Sequence, residues 1–224
     1  SQYLGSDRAP VPTQLGEYVA HMKTVAPTDK VSHGEDTSWQ ISTVPVYDNP
    51  FVDVSEERYY FKPVMELVEK GIIVGTSENT FTPDGNLTRA EWVTLLWRAA
   101  GKPEPAGTVS FDDVNPNAYY AKAFAWAAEE GIVEGVGDNL AAPKNLVTRQ
   151  QMVTMLFRYS GEEHVAYDLS AYTDVNDVSY YAVDAFEWAV ANGYIQGMTK
   201  STLAPLGTAT RAQAATILHR YLLG

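Results

Sequence analysis

Apolar residues recur at i, i+3, i+4 spacing in three short stretches: Val64, Leu67 and Val68; Phe124, Ala127 and Ala128; Phe186, Ala189 and Val190. That spacing gathers them on one face of a helix. Each stretch runs into Gly71, Gly131 or Gly193, suited to the left-handed residue that ends a helix, and then into Gly75, Gly135 or Gly197, suited to a tight turn. A loop closing on Phe81-Thr82-Pro83, Ala141-Ala142-Pro143 or Leu203-Ala204-Pro205 follows, held extended before the proline. Beyond it a second stripe appears, with Val93, Leu96, Trp97 and Ala100; Val153, Leu156 and Phe157; Ala215, Leu218 and Leu222. The pattern predicts an all-α chain of three helix-loop-helix repeats, none of which can bury its apolar face alone.

Other landmarks keep the period, which is 60 and then 62 residues between the three glycines. Asp53-Val54, Asp113-Val114 and Asp174-Val175 precede the first helices, as do Tyr59-Tyr60, Tyr119-Tyr120 and Tyr180-Tyr181. The second helices open on Thr88-Arg89-Ala90-Glu91, Thr148-Arg149-Gln150-Gln151 and Thr210-Arg211-Ala212-Gln213, and each carries a further arginine, Arg98, Arg158 or Arg220. The Thr with Glu or Gln three residues on reads as a capping box, a purely structural device. The arginine is less easily explained. At the first helical position a cation opposes the macrodipole at a cost of roughly 0.3 to 1 kcal/mol. Either it pairs with the repeat's own acid, Asp53, Asp113 or Asp174, or it joins free helix N–H groups in holding an anionic ligand.

Composition narrows the function classes. The chain has 224 residues, 45% hydrophobic and 12% aromatic, enough to bury a core, and no run of 18 apolar residues to insert in a membrane. A formal charge of -12 argues against a general affinity for nucleic acid or acidic lipid, either of which needs a basic face. Cysteine is absent, which excludes disulfides and thiolate metal sites but does not report the compartment. No signal peptide is visible and the chain starts at Ser1, so it reads as a mature or truncated form. Residues 1–50 lie outside the period and read as an N-terminal arm or the tail of an upstream domain, with Thr13 placed to cap a short helix over 13–25. The repeats fall at 51–102, 108–162 and 168–224.

No metal spacing links His21, His33, His164 and His219, and the acidic loops lack the alternating oxygens of a cation site. Nucleophile motifs, phosphate loops and glycine fingerprints are missing, and adjacent acids such as Asp112 and Asp113 cannot flank a glycosidic bond. No catalytic residue, cofactor or metal is expected, and the chain does not read as an enzyme.

Phe-x-Asp-Val, paired aromatics, Gly-Ile-x-x-Gly, a proline-bearing loop and Thr-Arg-Ala-Glu together resemble the S-layer homology domain, a family usually found as three tandem copies; the likeness covers roughly 51–224. The resemblance implies a pseudo-threefold spindle with a central three-helix bundle, secreted to the bacterial cell surface. It further implies non-covalent anchoring of an upstream cargo domain to an anionic secondary cell wall polysaccharide, often one with a pyruvate ketal on N-acetylmannosamine. Carried over, it names Arg89, Arg149 and Arg211 as ligand contacts in grooves between repeats, with Asp53, Asp113 and Asp174 in support. The alternative is a protein–protein or S-layer lattice module that binds no glycan.

Departures from the family pattern predict unequal grooves. Gln150, Gln151 and Gln213 replace the expected Ala or Glu, and Glu66 stands where Trp126 and Trp188 stand in the other repeats. With Glu91 two residues away, Arg89 is expected to matter less than Arg149 or Arg211.

Overall fold

The computed structural model describes residues 46–108 and 110–224; the short helix expected over 13–25 lies outside the described residues. Six α-helices form, two per repeat: α1 (Phe61–Glu69) and α2 (Arg89–Ala99), α3 (Ala121–Glu129) and α4 (Arg149–Ser160), α5 (Val183–Ala191) and α6 (Arg211–Leu223). Among the described residues there are isolated β-bridges but no multi-residue strand. The apolar stripes fall inside as their spacing requires: Val64 and Leu67, Phe124 and Ala127, Phe186 and Ala189 are fully buried. Second helices are more enclosed still. Positions 92–96, 152–156 and 214–218 are buried without a break, so these helices have core on every side.

Backbone hydrogen bonds draw the three repeats around a pseudo-threefold axis. Leu87 donates to the Ala209 carbonyl, Ala209 to Val147 and Val147 to Leu87, at 3.0, 3.2 and 2.9 Å, a closed ring with one member per repeat. From it the second helices run inward of the first ones. Each second helix packs on the first helix of the next repeat, α2 on α3, α4 on α5 and α6 on α1. The buried face of every first helix is therefore completed by a neighbour. Symmetry is broken at the equivalent positions Trp92, Met152 and Ala214, all fully buried, where three different sizes fill corresponding space.

All three Thr residues cap as the capping box predicts. Thr88, Thr148 and Thr210 accept from the backbone N–H of Glu91, Gln151 and Gln213, whose side chains accept the cap N–H in return. The turn glycines earn their place by close approach: a Cβ on Gly135 would stand 2.7 Å from the Leu140 carbonyl, and one on Gly197 2.6 Å from that of Thr199.

The third repeat carries one extra residue, taken up by two 3-10 turns, Val175–Asp177 and Tyr180–Ala182. This shifts the tyrosine register expected from the sequence. Tyr60 and Tyr120 are buried and Tyr59 and Tyr119 exposed, but in repeat three the buried position is taken by Ala182 and the cleft-facing ring is Tyr181; Tyr180 points to solvent at 97% exposure. Gln150 fits this insertion, because its side-chain oxygen accepts the Ser179 N–H at 3.0 Å.

Candidate functional site

The cleft-forming loop is held at a single peptide unit from two directions. Asp53 accepts the N–H groups of Phe81 and Thr82 at 2.8 and 2.7 Å, Asp113 those of Ala141 and Ala142 at the same distances, and Asp174 those of Leu203 and Ala204 at 2.8 and 2.7 Å. Thr82, Ala142 and Ala204 sit at φ of 57°, 50° and 51°, a left-handed conformation that the carboxylate clamp stabilises. The carbonyl of the first residue in each pair then accepts from an arginine of another repeat: Arg89 Nε donates to Ala141, Arg149 to Leu203 and Arg211 to Phe81, at 2.8, 2.8 and 2.7 Å. The six site residues expected from sequence thus meet in three pairs, each joining two repeats.

Neither sequence-based account of the arginine survives whole. The structure records no ion pair to Asp53, Asp113 or Asp174 among the described residues, since those oxygens are committed to amides. Nor are helix N–H groups free for a ligand. Arg89, Arg149 and Arg211 donate their backbone N–H to Asn145, Gly207 and Gly85 at 2.8 Å, and the next residues donate to Pro143, Pro205 and Pro83. The helix N-termini fasten repeats together. The direct hydrogen-bond partner of each guanidinium Nε is a backbone carbonyl.

The guanidinium ends differ. Arg89 and Arg149 are each 3% exposed, and beyond Nε their side chains have no hydrogen-bond partner among the described residues. Arg211 also donates through Nη2 to the Val74 carbonyl at 2.7 Å, lies 3.8 Å from Glu91 and stacks 4.6 Å from the Phe81 ring centre. Burial pulls all three guanidinium pKa values down. Asp113 and Tyr181 oppose that at Arg89, Asp174 and Tyr59 at Arg149, and Glu91 and Asp53 at Arg211.

Each arginine opens into a cleft built by all three repeats. The first, about 400 Å³, combines Arg89 with Glu134, Gln151 and Arg158 of repeat two and Tyr181 of repeat three. A second of about 310 Å³ combines Arg149 with Gln196, Gln213 and Arg220 of repeat three and Tyr59 of repeat one. The third, about 420 Å³, combines Arg211 with Glu91 and Arg98 of repeat one and Tyr119 of repeat two. Tyrosine and the second arginine are visible in the sequence as periodic landmarks but are not among its expected site residues; the structure places both in the clefts. Burial raises the hydroxyl pKa of Tyr59, Tyr119 and Tyr181, while Arg220 lowers it at Tyr59, Arg98 and Arg211 at Tyr119, and Arg89 and Arg158 at Tyr181. Glu91 faces Arg211 and not its own neighbour Arg89, so the reason for which Arg89 is expected to matter less does not apply to it.

A buried, partly unpaired guanidinium beside an exposed aromatic ring can hold an anionic group carried on a sugar. The sequence matches the S-layer homology domain at residues 50–91, 110–153 and 171–215. It is 35% identical to a surface-layer 125 kDa protein of Lysinibacillus sphaericus over 72% of this chain and 14% of that protein. It is 32% identical to an endoglucanase of Bacillus sp. (strain KSM-635) over 77% of this chain and 19% of that enzyme. A cellulosome-anchoring protein of Acetivibrio thermocellus is 25% identical over 63% of this chain and 33% of its own length. The chain thus spans a fifth or less of the first two relatives, and what it shares with an endoglucanase is a minor part of that enzyme. With three tandem matches covering more than half of its length, the chain belongs to the S-layer homology domain family.

Proposed function

We propose that this chain anchors a bacterial surface protein to the cell wall by binding an anionic secondary cell wall polysaccharide in its inter-repeat clefts. Membership in the family carries a cell-surface, cell-wall location. The observation that carries the glycan reading is the pair of buried arginines, Arg89 and Arg149, whose outer nitrogens face clefts without a protein acceptor. These outer nitrogens open to the cleft and not to the sealed core, so an acidic substituent such as a pyruvate ketal would replace water as their acceptor with charge-assisted hydrogen bonds. Tyr59, Tyr119 and Tyr181 stand at the cleft edges, 62%, 64% and 48% exposed, available to a sugar face. Asp53, Asp113 and Asp174 contribute indirectly, by fixing the loop whose carbonyl orients the arginine. Cargo carried upstream in a longer protein completes the reading.

Sedimentation with purified cell wall tests it. The protein should pellet with walls that retain their polysaccharide and stay in solution with walls stripped of it. Equal recovery with both preparations would overturn the glycan reading, and self-association in the absence of any wall would favour a lattice module.

A further inference from the structure

The three clefts share one plan and differ in how much of their positive charge the protein itself consumes. In the first, Arg158 Nη2 lies 2.7 Å from Glu134, an exposed acid on the cleft wall. In the third, Arg211 is held by the Val74 carbonyl and approached by Glu91. The second is different. Its lining holds two arginines, Arg149 and Arg220, and no carboxylate. Gln196 stands where Glu134 stands, three residues after the repeat's glycine, and Gln213 stands where Glu91 stands, three residues after the capping Thr. Among the described residues the Arg220 side chain makes only long hydrogen bonds, 3.3 Å to the Tyr194 carbonyl and 3.5 Å to the Gln196 side chain. Burial and Asp84 raise the hydroxyl pKa of Tyr59 while Arg220 lowers it, and Tyr59 in turn raises the pKa of Arg149.

Building on the glycan reading above, we infer that the Arg149–Arg220 cleft is the principal site, taking the carboxylate of an acidic sugar between two guanidinium groups. Gln196 and Gln213 set that preference by withholding the negative charge that the other clefts carry. Asp174 acts on Arg149 as Asp113 does on Arg89, so it does not distinguish the two clefts. Apolar Met198 and Ile217 complete the wall and suit the C–H faces of a ring.

Two exposed positions allow a test that leaves the core alone, since both Gln196 and Glu134 lie at the surface. Calorimetry would use a disaccharide of pyruvate-ketal N-acetylmannosamine, with the same disaccharide lacking the ketal as control. The natural chain should bind the acidic probe mainly at one site and the neutral probe far more weakly. Gln196→Glu should weaken binding roughly fivefold by pairing with Arg220, and Arg220→Gln roughly tenfold. Glu134→Gln should release Arg158 and bring a second site of comparable affinity into view. Retained affinity in both Gln196→Glu and Arg220→Gln would overturn the choice of cleft while leaving the glycan reading intact. No preference of the natural chain for the acidic probe would remove both.

Discussion

At the two junctions that the chain itself crosses, aromatic rings and the connecting peptide do the holding. Between α2 and α3, Trp97 donates its indole N–H to Pro103 at 2.8 Å, and Glu129 accepts the backbone N–H groups of Ala106 and Gly107. Between α4 and α5, Phe157 packs on Trp188 with ring centres 5.2 Å apart, and Trp188 donates to Glu162 of the connector at 2.7 Å. The third junction joins α6 to α1, and no connector links them in sequence. There the same two positions hold His219 and Glu66, 2.6 Å apart and partly buried. This is also the junction at which Arg211 makes two carbonyl bonds where Arg89 and Arg149 make one.

A physical reason links these differences. The arginine-to-loop bond spans 52 and 54 residues at the connected junctions but 130 at the third. Closure entropy grows with the logarithm of that span, so the third closure costs about 1 kcal/mol more. One added hydrogen bond from a charged donor is enough to offset it. The lesson is that the repeats are not equivalent: Arg211 is occupied at two carbonyls in closing the ring, whereas Arg89 and Arg149 are each held at one.

The strongest way to break the comparison is to remove the neighbours. A fragment of residues 108–160 should show no cooperative thermal transition, because the ring of backbone bonds and every cleft need all three repeats. A native-like melt would show that the junctions are dispensable. Next in size, Arg211→Ala should lower stability by about 3 kcal/mol or more in urea unfolding, roughly twice the loss for Arg149→Ala, in proportion to the carbonyl bonds removed. Equal losses would mean that the Val74 bond adds nothing to closure. Neither variant should be read as a pure binding mutant, since the Thr caps alone do not protect the loop carbonyl.

Smaller effects sharpen the picture at the ionic pair. His219→Ala should cost about 1 to 2 kcal/mol, more than an exposed ion pair contributes, because Glu66 keeps its half-buried place without this partner. A midpoint shift within error would make the pair ornamental. Restoring the aromatic pattern with Glu66→Trp and His219→Phe together should instead stabilise by about 1 kcal/mol, seen as a rise of roughly 2 to 4 °C in Tm. A drop would mean that this seam lacks the space that α4 and α5 provide.

Much of this was legible in the chain because it depends on local spacing. The i, i+3, i+4 stripes, the terminal glycines and the capping pairs each need only a few consecutive residues, and the helices formed where those signals stood. The 60- and 62-residue period likewise exposed the repeats and the arginines that line the clefts. One local reading slipped: pairing Tyr180-Tyr181 with the earlier tyrosines ignored the extra residue in repeat three, and Ala182 at the buried position was too small to attract notice.

Partners across repeats were beyond reach, since sequence distance does not say which neighbour a side chain faces. Glu91 lies two residues from Arg89, yet the turn of the helix sends it to Arg211 in another repeat. Asp53 looked like a counter-ion and is instead an acceptor for two amides, because the left-handed residue at Thr82 aligns those N–H groups on one carboxylate. The sequence by itself determined the helices, their caps and the threefold count. Only the tertiary structure decided which arginines make one carbonyl bond and which makes two, because that depends on how the ring closes and on which backbone carbonyls it brings within reach of each guanidinium.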